Sequence, residues 1–219
     1  MKLADAIKIL DTYAPPELAY FEKQNGLLTG NMKNEINRIG ICLDFTNNLL
    51  SSAVEKRCDL LIYHNSLNYE NEPSRLFKQR LDFAKKNGIS VFQMHLNLDF
   101  CKNGIIDNLC KLMGFQGSPV KLFYQGKEIT GGVYVAECEM PFDDLVNRAK
   151  RINPKIVSAC GKKKDVYRKI AITSGNGCKP EFIEQMNIDA FIAGQIGHEA
   201  MRLAEQVEIT LISATNYST

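Results

Sequence analysis

From Arg38 onward, short apolar runs rich in β-branched residues alternate with segments of helical periodicity, and no other feature limits the fold as much. RIGICLDF (38–45) reads as a strand, NNLLSSAVEKR (47–57) as a helix and DLLIYHNS (59–66) as a strand. PSRLFKQRLDFAKKNG (73–88) then reads as a helix closed by Gly88, and ISVFQMHLNLD (89–99) as a third strand. Strands joined by helical crossovers run parallel, because the crossover returns the chain to the edge it started from. The expected class is therefore α/β, a mostly parallel sheet with covering helices. Ahead of it, Leu3, Ala6, Ile7 and Leu10 recur at helical spacing, and Pro15-Pro16 ends that helix. Behind it, IIDNLCKLMG (105–114) is expected to be the helix that closes the unit.

The middle of the chain changes character. PVKLFYQGKEI (119–129) and TGGVYVAECEM (130–140) read as paired strands around Gly and polar turns, followed by the helix PFDDLVNRAKRIN and the strand PKIVSACG. Alternation resumes with YRKIAITSG, PEFIEQMN, DAFIAGQ, GHEAMRLAEQV and ITLISA as strand, helix, strand, helix, strand. The expected organisation is a first α/β domain over 1–118, joined by the C-terminal segment 208–219, and a smaller α+β domain over 119–207. No internal repeat, linker or low-complexity segment is visible.

Composition narrows the function classes. The 219 residues, 45% of them hydrophobic, suffice for a packed core. The 27 basic and 25 acidic side chains nearly cancel and lie scattered, so nucleic-acid binding is not expected. The 7 cysteines include no CxxC pair, which argues against a disulfide framework or a thiolate zinc site. MKLADAIKIL is amphipathic rather than a signal core, and no run approaches the roughly 20 apolar residues of a membrane span. A cytoplasmic location without membrane attachment is the expectation.

Ligands of open α/β sheets bind beyond the carboxyl ends of the strands, where residues distant in sequence converge. His64 after LLIY, His95 and Asp99 in VFQMHLNLD, and Asn216 in LISATNYST are the candidates this rule selects. His64 suits metal ligation or acid–base chemistry, and equally a hydrogen-bonded strand end. His95 and Asp99 lie four apart; they share a face if the segment stays a strand, and can still meet if it turns. A carboxylate beside an imidazole serves as a ligand or orients the ring. His198 opens the helix after DAFIAGQ and could reach the same crevice, whereas Glu199 beside it is what a helix N-terminus favours. SGNG (174–177) offers backbone amides to an anion, although short Gly turns are common connectors. Cys178 has no paired base in sequence and reads as inert.

Taken in order, these segments resemble the NIF-three-like family, often labelled GTP cyclohydrolase I type 2 homologues. NGLLTGN, IGICLDFT, LLIYHNSL, VFQMHLNLD, SGNG, DAFIAGQIGH and ISATNYST each look like one of that family's motifs, over essentially the whole chain. The resemblance implies a two-domain fold, a ring-shaped homohexamer, and a two-metal hydrolytic site acting on a nucleotide-like small molecule. Its ligands would be two histidines of the first motif, the aspartate of the second, and a closing histidine and glutamate. This chain departs from that set: Tyr63 and Asn216 stand at histidine positions, Gln195 replaces a Glu, and the closing glutamate would fall past Thr219. Only His64 and Asp99 carry over unchanged. Neutral tyrosine and asparagine are poor stand-ins for imidazole, so one weakly held divalent ion (Zn, Mn or Fe) or none is expected, with His64, Asp99, Tyr63 and Asn216 around it. His95 and His198 would then assist proton transfer, and a non-catalytic, ring-forming scaffold is the alternative reading.

Overall fold

The structure is a computed structural model in which residues 1–19, 25–65, 74–215 and 218 are described. The chain divides into two compact units, Met1–Leu98 and Asp99–Thr219. The first holds α1 (Leu3–Tyr13), β1 (Gly26–Thr29), β2 (Ile39–Cys42), α2 (Asn47–Glu55), β3 (Leu60–Tyr63), α3 (Ser74–Lys86) and β4 (Ser90–Gln93). Its sheet runs β1-β4-β3-β2. β2, β3 and β4 are parallel, and β1 lies antiparallel on β4. Every residue of β3 and β4 is buried, which is why LLIY and SVFQ lack polar alternation. Thr46 caps α2 by accepting from the Leu49 amide. Leu50 and Ala53 of α2 and Ala84 of α3 close over Phe45, Leu61, Tyr63 and Val91 to make the core of this unit.

The expected strand 89–99 does not run its full length. β4 ends at Gln93, and after a bend at His95 the chain winds into α4 (Leu96–Phe100). Asn97, 1% exposed, donates from Nδ2 to the Ala14 carbonyl at 2.8 Å, and a helical turn can place that amide there.

The second unit contains α5 (Ile105–Met113), β5 (Gly117–Tyr124), β6 (Lys127–Met140), α6 (Phe142–Ala149), β7 (Ser158–Gly161), β8 (Tyr167–Ile172), α7 (Pro180–Glu184), β9 (Ala190–Ala193), α8 (His198–Gln206) and β10 (Thr210–Ser213). Its sheet runs β5-β6-β8-β9-β10-β7. β5 and β6 form a hairpin closed by Gln125 and Gly126, both at positive φ, so the turn falls inside the first expected strand, whose last residues, Lys127 to Ile129, run on into the second as one long β6. Two expectations about domain membership are corrected. α5 does not close the first unit: Ile106, Leu109, Cys110 and Met113 join Tyr134, Ile170, Ile192 and Ile212 in the second core. β10 does not join the first sheet either; it pairs parallel with β9 and antiparallel with β7. The buried Tyr167–Thr210 hydroxyl bond of 2.7 Å ties its start to β8.

A repeat invisible in the sequence emerges from the pairing. β7-β10-β9-β8 reproduces β1-β4-β3-β2, with three parallel strands and one antiparallel edge strand fed in the same chain order. In both copies an aspartate precedes the central strand and takes two backbone N–H groups from the start of its neighbour. Asp59 Oδ2 accepts from Asn37 and Arg38, and Asp189 Oδ2 from Arg168 and Lys169. Among the described residues no helix is long and apolar enough to cross a membrane.

Candidate metal centre

The site forms where β3 and β4 end. His64 follows β3, and its Nδ1 lies 2.9 Å from the Met94 carbonyl oxygen. A carbonyl only accepts, so Nδ1 is the donor of this contact, and Nε2 is the ring nitrogen that could ligate a cation. His95 follows β4, its ring centroid 5.1 Å from that of His64 and tilted by 63°. Its amide lies 3.5 Å from Asn25 Oδ1. His95 stands at the bend just before α4, and Asp99 lies within that helix, four residues on.

One donor atom each from His64, His95 and Asp99 lie within 4.8 Å of one another. Tetrahedral ligands about 2.1 Å from one ion lie about 3.4 Å apart, so the group needs to contract by up to about 1.4 Å to hold it. The donor set fits a divalent cation. Asp99 is 3% exposed, and the Ser174 hydroxyl donates to its Oδ1 at 2.9 Å. Two imidazoles and one carboxylate leave coordination positions open, as hydrolytic metal sites do.

Polar groups the sequence reading missed support the strand ends. The Asn65 amide donates to Asp44 Oδ1, and Gln93, fully buried, donates from Nε2 to the Asn65 carbonyl at 3.4 Å. The signal was present in LDFT and YHNS, but nothing local says that Asp44 and Asn65 meet. Ser174, the first residue of the SGNG turn, aims its hydroxyl at Asp99.

The other predicted residues sit elsewhere. Tyr63 is 1% exposed and stacks on Phe45 with centroids 5.3 Å apart, inside the apolar cluster of α2 and α3, which makes it a packing residue and leaves its expected ligand role without support. The physical reason is strand alternation, which turns Tyr63 and His64 to different sides. His198 is exposed at the first position of α8 and is not part of the donor group. Asn216 lies outside the described residues. Cys178 is buried, and burial first, then Cys160, pushes its thiol up to about 12, which agrees with its reading as inert.

Comparison with known proteins places this architecture. A GTP cyclohydrolase 1 type 2 homolog from Methanocaldococcus jannaschii is 30% identical over 226 residues, covering 100% of this chain and 90% of the relative. One of the same name from Clostridium acetobutylicum is 27% identical, covering 100% and 85%. The solved structure of reduced HcgD from Methanocaldococcus jannaschii has a TM-score of 0.81 at 28% identity, covering 100% of this chain and 88% of that one. A Bacillus cereus protein related to NIF3 reaches the same TM-score, 0.81, at only 14% identity, so the two-domain α/β fold persists where the sequence has diverged. The family model for Duf34/NIF3 (NGG1p interacting factor 3) matches residues 1–219, and with the fold and the relatives in agreement, the chain belongs to that family.

Proposed function

We propose that this protein is a metal-dependent hydrolase in which His64, His95 and Asp99 hold a single divalent cation, and that its substrate is a nucleotide-like small molecule. The observation that carries the reading is the convergence of these three donors, with the His64 ring oriented through Nδ1 by the Met94 carbonyl. The substrate class rests on the cyclohydrolase name of the relatives. When bound, such a cation polarises the scissile group and lowers the pKa of water. The chain's own part is to hold the donors: the Met94 carbonyl fixes the His64 ring, the bend into α4 presents His95, α4 carries Asp99, and Ser174 orients the carboxylate. His95 thereby moves from the proton-transfer role expected of it to that of a ligand. Function as a homo-oligomer, the hexamer of the resemblance, belongs to the same proposal.

A non-catalytic binding role is the second reading, favoured by the packing of Tyr63 in the core, which removes one of the imidazole positions a two-metal site would use. Metal content separates the two. After incubation with Zn²⁺, Mn²⁺ or Fe²⁺ and desalting, the wild type should retain one ion per chain and hydrolyse GTP, and His64→Ala and Asp99→Ala should do neither. Wild-type protein that emerges metal-free would overturn the hydrolase reading.

A further inference from the structure

The first sheet ends in β2, and no strand of the described residues pairs along its outer side. Another sheet edge is closed by a device that β2 lacks among the described residues: at β5, Gln185 accepts from the Phe123 amide at 2.7 Å and donates to the Phe123 carbonyl at 2.9 Å. On β2, Ile41 is 81% exposed and Ile39 46% exposed. An exposed apolar edge strand is a template for pairing with another chain.

The directions of the backbone groups are settled by the inner pairing. The Arg38 carbonyl accepts from Leu60 and the Cys42 carbonyl from His64, so the even-numbered residues turn their polar groups toward β3. By the two-residue period of a strand, the N–H and C=O of Ile39 and Ile41 point outward. In an antiparallel pair, residues opposite each other in a hydrogen-bonded position exchange both bonds. Setting Ile39 against Ile41 of a second copy, and Ile41 against its Ile39, satisfies all of these outward groups. The axis then passes through Gly40, at the position where strands approach to about 4.5 Å. Gly40 suits that position from the inside too, since a Cβ there would meet Leu61 Cδ2 at 2.6 Å. Arg38 falls diagonally across from Asp44 of the second copy, within reach of a long side chain, so opposite charges meet on both sides of the axis.

We propose that β2 is a homodimer interface: it pairs antiparallel with β2 of a second copy across a two-fold axis, Ile39 against Ile41, making one continuous sheet from two chains. The occupant is a second copy because the strand complements itself in hydrogen bonding, in apolar contact and in charge, as an isologous interface requires. This inference is independent of the metal reading.

Two experiments decide it. Sedimentation equilibrium of Ile41→Lys, a substitution the exposed position tolerates in a single chain, should give an assembly of half the wild-type mass with unchanged circular dichroism. The double variant Ile39→Cys/Ile41→Cys should form a disulfide-linked dimer on mild oxidation, and neither single variant should, because only that register brings the two positions within disulfide range. The second experiment stands even if the lysine variant fails to fold. A monomeric wild type, an Ile41→Lys variant of unchanged mass, or absence of the cross-link overturns the proposal; capture of a strand from a different protein by monomeric wild type does so as well.

Discussion

His64 and Tyr63 are adjacent, yet they do opposite work. The pleat sends Tyr63 into the cluster with Phe45, Leu50 and Val91, and leaves His64 at the strand end with a carbonyl partner on Nδ1. Removing the Tyr63 hydroxyl and removing its ring should therefore differ. Tyr63→Phe is expected to leave metal retention as it is and to shift stability by no more than about 1 kcal/mol. Tyr63→Ala should cost about 4 kcal/mol through the cavity it leaves. Urea unfolding and metal analysis on the same preparations check both; loss of metal in Tyr63→Phe would restore tyrosine to the ligand set. The cysteines follow the same logic of burial. Burial pushes the Cys110 thiol up to about 12, with Asp107 adding to the effect, and the side chain lies in the second core among Ile106, Leu109 and Met113.

At the scale of elements, the repeated strand unit is held at its entry by an aspartate. Asp189 receives the amides of Arg168 and Lys169 and, at 2.8 Å, the Lys164 ammonium, so it ties the starts of β8 and β9 together. Burial works against the charge, but the hydrogen bond from Lys164, the two backbone N–H groups and the Lys164 charge hold its carboxyl below the ordinary range. A carboxyl depressed in the folded state adds stability above its unfolded pKa, about 4, and loses it as pH falls through the lower folded value. Asp189→Ala should cost on the order of 2 kcal/mol at neutral pH. The difference from wild type should narrow as pH falls below about 4, because acid then removes the same charge. Denaturant midpoints of both proteins across that range test this, and a constant difference would show that the charge is not what matters. β4 and α4 teach a related point. His95 and Asp99 read as one strand in ISVFQMHLNLD, but the chain bends at His95 and winds into α4, and both residues fall in one donor group.

For the whole molecule, a cation bound only by the folded state must raise its stability by mass action. With Zn²⁺ or Mn²⁺ at about 100 times its dissociation constant, the gain is about 2.7 kcal/mol. Thermal unfolding of the wild type should therefore move to higher temperature with added metal and return with chelator, whereas Asp99→Ala should not respond. An equal shift in the variant would place the ion elsewhere. The sequence alone determined the secondary elements from Arg38 to Asn65, the buried character of β3, β4 and β9, and the candidacy of His64, His95 and Asp99, because periodicity, apolar runs and strand-end placement are properties of near neighbours. Only the tertiary structure decided that α5 and β10 belong to the second core, that two strand units share one topology, that Tyr63 packs while His95 joins the donors, and that Ser174 meets Asp99. Those outcomes depend on which apolar faces and buried polar groups find each other across tens of residues, and that choice is made by burial and hydrogen-bond satisfaction in three dimensions, which no local stretch of chain records.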